Sequence, residues 1–309
     1  MNGATTTWCV PATREHPALH LRVQRASGSA RGDALYVHGA TFPSALSLFF
    51  RFDGRSWADA LNEAGFNAWG FDFAGYGESA RWPAMAQPAE RAAPAGRSDS
   101  ALGQLHSVHL AMQREGVSAL HLIAHSWGSI PALRFAAQRP PALRSLSLFG
   151  PIAPREGGTP PASPGAWRLL TMWEQYRRFV ADVPRGQPPV LADRHIEAWS
   201  RAWLATDPDS ATRTPPAVKV PCGPVADLLA CAGGQALYDT SLVTAPLLLV
   251  RGEWDSVCDD DDARRLLRDA AATRGRDVKL ARGTHLMHLE ENRGALHRAV
   301  NEFLLENCP

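Results

Sequence analysis

The sequence lacks a long apolar run, and it lacks an excess of charge of either sign. No stretch approaches the roughly 18 consecutive apolar residues that a membrane helix requires, and Met1 to Thr13 do not combine a basic segment with an apolar one. Its 32 basic and 31 acidic residues leave a formal net charge of +1. We therefore expect a cytoplasmic protein whose partner is a small-molecule substrate, and we expect no binding to nucleic acid or membrane.

Cysteine is scarce and scattered. The five cysteines are an odd number without metal-ligand spacing, so we predict free thiols in a reducing compartment. The alternative for one pair is a disulfide between Cys222 and Cys231. The sequence indicates neither a metal site nor a cofactor.

Apolar strands and amphipathic helices alternate in two parts of the chain, residues 1–154 and 241–309. This alternation predicts a mostly parallel central sheet with helices on both faces. Between them, residues 155–240 are proline-rich, with helical segments predicted at Trp167–Val183 and Asp193–Ala205. Because so short a segment buries little core by itself, we interpret it as an inserted helical lid on one α/β core.

Ser126 lies at a predicted turn from strand to helix. The apolar run Leu120–Ile123 precedes it, and apolar residues recur at helical spacing after it. A serine hydroxyl projects from such a turn only if the residues two before and two after it are small, as Ala124 and Gly128 are. The stretch resembles the nucleophile elbow of the α/β-hydrolase superfamily in its serine branch, although Ala124 stands where that family usually has glycine.

Asp255 and His285 follow two later predicted strands, as Ser126 follows an earlier one. The carboxyl ends of parallel strands meet at one edge of a sheet, so we expect these three side chains to be neighbours. Their chain order is that of α/β-hydrolases. The resemblance implies that Ser126 is the nucleophile, that His285 is the general base and acid, and that Asp255 orients His285.

The same resemblance implies that two backbone N–H groups donate hydrogen bonds to the substrate oxygen on which negative charge forms. One belongs to Trp127, directly after the nucleophile at the start of a helix. The other belongs to Ala40, in the loop that follows His38 and Gly39, with Thr41 as the alternative.

Other histidines compete for the role of the base. His288 is the strongest of them, but His285 directly follows a strand end and is preferred. We expect His125 to pack beneath the elbow, because neighbours on a strand face opposite sides. His38 is expected to brace a loop through hydrogen bonds.

Other acids compete with Asp255. Asp259–Asp262 suit the first turn of a helix, where acidic side chains are favoured. Glu253 lies two residues too early for the family pattern. Asp72 resembles a loop-bracing aspartate of the family.

A serine nucleophile points to acyl chemistry. The first hypothesis is hydrolysis of a carboxylic ester, thioester or lactone of a moderately apolar small molecule through an acyl-enzyme. The same triad also serves acyl transfer, amide hydrolysis and C–C bond hydrolysis, and a silent ligand-binding protein is a further alternative. Arginines of the predicted lid are candidates for binding a substrate carboxylate, unless they lie on solvated helix faces. They are Arg168, Arg177, Arg178, Arg194 and Arg201.

Overall fold

The structure is a computed structural model that describes residues 5–155 and 164–308. In these residues the chain forms ten strands and eight α-helices. The strands are β1 (Thr5–Val10), β2 (Leu19–Gln24), β3 (Gly32–Val37), β4 (Phe66–Asp72), β5 (Leu120–His125), β6 (Leu143–Phe149), β7 (Trp167–Thr171), β8 (Ala217–Pro221), β9 (Leu247–Gly252) and β10 (Gly275–Leu280). The helices are α1 (Trp57–Glu63), α2 (Ser98–Arg114), α3 (Ser129–Ala137), α4 (Met172–Val180), α5 (Ile196–Leu204), α6 (Gly223–Ala232), α7 (Asp260–Asp269) and α8 (Arg293–Glu306).

Eight strands form the central sheet, in the order β1-β2-β4-β3-β5-β6-β9-β10. Strand β2 pairs antiparallel with both β1 and β4, and the strands from β4 to β10 are parallel. The predicted mostly parallel sheet is therefore confirmed. All six residues of β5 and of β9 are buried, because helices cover both faces of a parallel sheet.

Alternate residues of each central strand enter two different apolar clusters. In β3, Leu35 and Val37 join the cluster that packs against α2 and α3, whereas Ala34 and Tyr36 join the cluster against α1 and α8. This is the period of two that a strand imposes on its side chains. The sheet is thus packed against helices on both of its faces.

The segment between β6 and β9 contains α4, α5, α6 and the antiparallel pair β7–β8. The prediction of a helix over Trp167–Val183 is wrong for Trp167–Thr171, which pairs with Ala217–Pro221. The helix starts only after Thr171, whose side chain accepts a hydrogen bond from the Glu174 N–H and so caps it. Residues 1–4, 156–163 and 309 lie outside the described part of the chain.

Two expectations from the sequence concern free thiols and membrane-spanning helices. All five cysteines are free thiols, including Cys222 and Cys231, which are both buried. Among the described residues, no helix has the combination of length and apolar character that a membrane crossing requires.

Candidate active site

Ser126 lies in a strained turn between β5 and α3. Its φ is +52°, an uncommon value for any residue but glycine, and the side chain is buried. A Cβ at Gly128 would lie 2.4 Å from the carbonyl oxygen of His38, so only glycine lets this turn pass the end of β3. The turn thus has the sharp geometry predicted for it.

The three residues predicted to be neighbours are brought together. His285 Nε2 lies 2.8 Å from Ser126 Oγ, and His285 Nδ1 lies 3.1 and 3.2 Å from the two carboxylate oxygens of Asp255. All three side chains are buried. In the tautomer that donates from Nδ1 to Asp255, Nε2 accepts the Ser126 hydroxyl proton, which is the arrangement that prepares a serine for attack.

Asp255 is held by its own loop. Its carboxylate accepts hydrogen bonds from the backbone N–H groups of Val257, at 2.8 Å, and Cys258, at 3.1 Å. Burial by itself raises the pKa of Asp255, but the charge and hydrogen bond of His285 and these two amides outweigh it, so the pKa is lowered overall. The group therefore stays a carboxylate at neutral pH.

Gly150, directly after β6, leaves room for this pair, a role that was not predicted from the sequence. Its φ is +52°, and a Cβ there would lie 2.8 Å from His285 Nδ1 and 3.1 Å from Asp255 Oδ2. A glycine directly after a buried strand was the available signal.

The loop of Ala40 borders the nucleophile. A Cβ at Gly39 would lie 3.1 Å from the Cβ of Ser126, and His38 braces the loop by accepting a 2.9 Å hydrogen bond from the Phe73 N–H. Within the described residues, the backbone N–H groups of Ala40 and Trp127 have no acceptor. Both groups are therefore free to donate to an oxyanion.

The Trp127 side chain is anchored by Asp227, a residue that was not predicted from the sequence to lie at the site. Its indole Nε1 donates to Asp227 Oδ2 at 3.0 Å, and Asp227 also accepts from the Ser98 N–H and the Arg97 Nε at 2.7 and 2.8 Å. Asp227 lies on α6, a helix that was not predicted, so no pattern near Ser126 pointed to it. This buried carboxylate joins the elbow to α2 and α6.

The competing histidines do not reach Ser126. His125 stacks on Phe149, with ring centroids 4.4 Å apart, and its Nε2 donates to the His285 carbonyl at 3.1 Å. His288 packs on Phe42, and neither of its ring nitrogens has a partner in the described part of the chain. Burial lowers the pKa of both His125 and His288 well below the usual value, so both rings are neutral.

The competing acids have structural partners elsewhere. Glu253 is exposed and accepts a hydrogen bond from the Arg282 N–H. Asp259 caps α7 through the N–H groups of the next acids. Asp72 accepts from the backbone and hydroxyl of Ser44, at 3.0 and 2.7 Å, and so braces the loop after β3.

Helix α4 contacts the site at two points. Gln175 is buried and donates from Nε2 to Thr41 Oγ1 at 2.8 Å. Asp182, just after the helix, accepts from the His285 N–H at 3.3 Å and from Ser256 Oγ at 2.5 Å. The helix therefore spans from the loop of Ala40 to the loop of His285.

Helix α5 is attached through two buried indoles. Trp199 Nε1 donates to the Leu46 carbonyl at 3.0 Å, and Trp203 Nε1 donates to the Thr41 carbonyl at 3.1 Å. A groove of about 1470 Å³ lies between α5 and the loops after β3 and β4. Ser126 does not line that groove, so it does not open on the nucleophile.

The five arginines of the insertion differ in their partners. Arg194 forms ion pairs with Asp53 and Glu291, and Arg201 forms one with Glu197. Two others, Arg168 and Arg177, are exposed. Arg178 alone of the five has a buried guanidinium nitrogen, Nη1, that lacks a partner among the described residues.

The parallel sheet, the strained serine after β5 and the Ser126–His285–Asp255 arrangement define the α/β-hydrolase fold. The sequence profile of the family described as serine aminopeptidase, S33, matches residues 54–292, which is well over half of the chain. The protein belongs to this family and is an α/β-hydrolase enzyme.

Solved structures show the same fold at low sequence identity. The 2-hydroxy-6-oxo-6-phenylhexa-2,4-dienoate hydrolase from Rhodococcus sp. strain RHA1 is 17% identical, with 98% of this chain and 99% of that chain covered and a TM-score of 0.64. Proline iminopeptidase from Mycobacterium smegmatis is 16% identical, with 98% of each chain covered and a TM-score of 0.61. Monoacylglycerol lipase from Paleococcus ferrophilus is 17% identical, with 94% and 99% covered and a TM-score of 0.58. A search of curated protein sequences finds no significant match.

Proposed function

We propose that the enzyme hydrolyses a carboxylic ester, thioester or lactone of a moderately apolar small molecule through an acyl-enzyme on Ser126. The observation that carries this proposal is the hydrogen-bonded line from Asp255 through His285 to Ser126, with 2.8 Å between His285 Nε2 and the hydroxyl oxygen. A serine in contact with an oriented imidazole is activated for nucleophilic attack.

The reaction proceeds in two halves. His285 Nε2 takes the Ser126 proton while Oγ attacks the substrate carbonyl, and the N–H groups of Ala40 and Trp127 stabilise the oxyanion. His285 then protonates the leaving alcohol or thiol, and the acyl group stays on Ser126. Water, deprotonated by His285, attacks the acyl-enzyme, and the carboxylic acid leaves as Ser126 regains its proton.

The aromatic cluster beside the site supports an apolar substrate. Phe42, from the loop of Ala40, packs on Trp199 of α5 with ring centroids 5.3 Å apart and on Phe179 of α4 at 6.0 Å. These rings form an apolar wall where the core and the insertion meet.

Ser126 is only 2% exposed, which supports a site that is covered by another part of the chain. We propose that residues 155–240 act as the lid of a core formed by residues 1–154 and 241–309. Side-chain hydrogen bonds such as Gln175–Thr41 join the two parts, and such bonds exchange for water at small net cost.

Amide hydrolysis is the second candidate, favoured by the description of the family. An aminopeptidase substrate carries an ammonium group near the scissile bond, and a nearby cation disfavours the binding of that group. Here the nearby Asp182 and Asp255 are already hydrogen-bonded, and Arg178 adds a positive charge. These charges support esters over aminoacyl amides.

A screen of esters, thioesters and aminoacyl amides with intact-mass detection tests the proposal. We expect the wild-type protein to gain the mass of the acyl group, and Ser126→Ala to show neither this adduct nor turnover of short-chain p-nitrophenyl esters. A wild-type protein that shows neither would be a ligand-binding protein instead. Product that forms mainly on an added alcohol or amine would make it an acyltransferase.

A further inference from the structure

The guanidinium cation of Arg178, on α4, has no described anionic group in contact with it. No described residue accepts a hydrogen bond from its guanidinium or forms an ion pair with it, and Nη1 is buried. A guanidinium has five N–H donors and stays charged in proteins. Removing it from water without a partner costs free energy that an anion in contact would offset.

The position of Arg178 on α4 directs it to the site. Gln175 is three residues earlier and reaches Thr41 in the loop of Ala40. Asp182 is four residues later and accepts from the His285 N–H. Positions three apart share one face of a helix, so Arg178 lies on the face of α4 that carries Gln175. Its guanidinium is close enough to Asp182 and Asp255 for their charges to act on it, so it lies near His285, which contacts both.

The carboxylates near Arg178 do not occupy its donors. Asp182 accepts from Ser256 Oγ and the His285 N–H, and Asp255 accepts from His285 and its own loop. Both carboxylates favour the charged form of Arg178 from a distance, whereas Arg168 disfavours it. The N–H groups therefore remain free for a further acceptor.

We infer that Arg178 binds a carboxylate of the substrate, so that the enzyme prefers monoanionic acyl compounds such as half-esters of dicarboxylic acids. This inference rests on the proposed function and adds a substrate class to it. A carboxylate matches the planar guanidinium fork with two parallel hydrogen bonds. A phosphate dianion is disfavoured, because the charges of Asp182 and Asp255 lie close by.

The test compares matched substrates in which a carboxylate is replaced by its neutral methyl ester. We would measure kcat/KM for 4-nitrophenyl half-esters of dicarboxylic acids of increasing chain length, each paired with its neutral methyl diester. The wild-type enzyme should prefer the half-ester at one chain length. Arg178→Gln should lower that preference by at least about 10-fold, because the carboxylate loses a charged partner.

Two variants complete the set. Arg177→Gln removes the adjacent exposed arginine of the same helix and should leave the preference at the wild-type value. Arg178→Lys keeps the charge beside Asp182 but loses the fork, so the preference should fall by about threefold or more. If Arg178→Gln does not fold, Arg178→Lys decides: an unchanged preference overturns the inference.

A binding measurement separates this inference from the proposed function. In Ser126→Ala, calorimetric titration should show that added Arg178→Gln weakens binding of the half-ester and not of the diester. If the wild-type protein forms no acyl-enzyme but this difference is seen, the anion site stands and the hydrolase proposal fails. If acyl-enzyme forms and no variant changes the preference, the inference is wrong. Stronger inhibition by inorganic phosphate than by monomethyl adipate, at equal ionic strength, would also contradict it.

Discussion

The core and the insertion hold the site in different ways. In the core, Ser126 and Asp255 follow strands that are buried on both faces, so their positions are fixed by the sheet. The insertion is tied to the site through side chains, such as Gln175 on Thr41 and Trp203 on the carbonyl of the same residue. This difference supports our proposal that the core carries the chemistry and that the insertion controls access and selectivity. Changes in the two regions should therefore differ in size and in kind.

The largest effect is expected at the triad. His285→Gln removes the base, so kcat should fall by about 10,000-fold or more while the fold is retained. Steady-state kinetics and circular dichroism measure the two quantities. The control is His288→Gln, because His288 is equally buried but its ring nitrogens form no hydrogen bond with any described residue, Ser126 included. Comparable losses in both variants would contradict the assignment of the base.

Glu290, a buried acid five residues after His285, should make the stability of the protein depend on pH. Glu290 accepts from the Thr284 N–H at 2.9 Å, and burial raises its pKa to about 7. The folded protein thus keeps a proton that the unfolded chain has lost, so the free energy of unfolding falls as the pH rises from the unfolded value towards 7.

Glu290→Gln should abolish this fall in the free energy of unfolding, because glutamine can still accept a hydrogen bond from Thr284 but never ionises. As the pH rises from acid to mildly alkaline values, the free energy of unfolding of the variant should increase by roughly 3 kcal/mol relative to that of the wild-type protein. Urea unfolding across this range gives the value. An identical pH dependence for both proteins would show that Glu290 is not the group responsible.

The attachment of α5 to the core should have an intermediate effect. Trp203→Phe leaves the buried Thr41 carbonyl without its donor, so we expect a loss of about 1–3 kcal/mol in the free energy of unfolding. The matched control is Trp173→Phe, because Trp173 is 68% exposed, and its effect should stay below about 0.5 kcal/mol. Chemical denaturation measures both values. Equal effects would mean that the hydrogen bond from the Trp203 indole to the Thr41 carbonyl does not contribute to the free energy of unfolding.

The smallest effect is expected on the outer face of the insertion. Arg201 forms an exposed ion pair with Glu197 one helical turn away, so Arg201→Ala should cost less than about 0.5 kcal/mol. The preference for half-esters should also stay unchanged, in contrast to Arg178→Gln. A loss of preference in Arg201→Ala would place the anion site elsewhere on the insertion.

The inner strands of the sheet, such as β5 and β9, could be predicted because each is a short, largely apolar run. The predicted bounds of Leu19–Gln24 coincide with those of β2. The neighbouring positions of Ser126, Asp255 and His285 followed from the same topology, since each lies in the loop or turn after the carboxyl end of a strand. Local sequence was sufficient here because burial on both faces leaves a strong pattern.

The insertion could not be predicted in the same way. The strand Trp167–Thr171 depends on a partner about fifty residues later in the chain, and pairing at such distance leaves no local signal. The five arginines were equivalent in the sequence. Only long-range contacts distinguish them, such as the ion pair of Arg194 with Asp53, 141 residues away.

The most direct test of the central claim is to label the protein with a fluorophosphonate and identify the modified peptide by mass spectrometry. We predict a single adduct on Ser126 in the wild-type protein and none in Ser126→Ala, with labelling slowed by orders of magnitude in His285→Gln. An adduct on another serine, or rapid labelling of Ser126 in His285→Gln, would contradict the account.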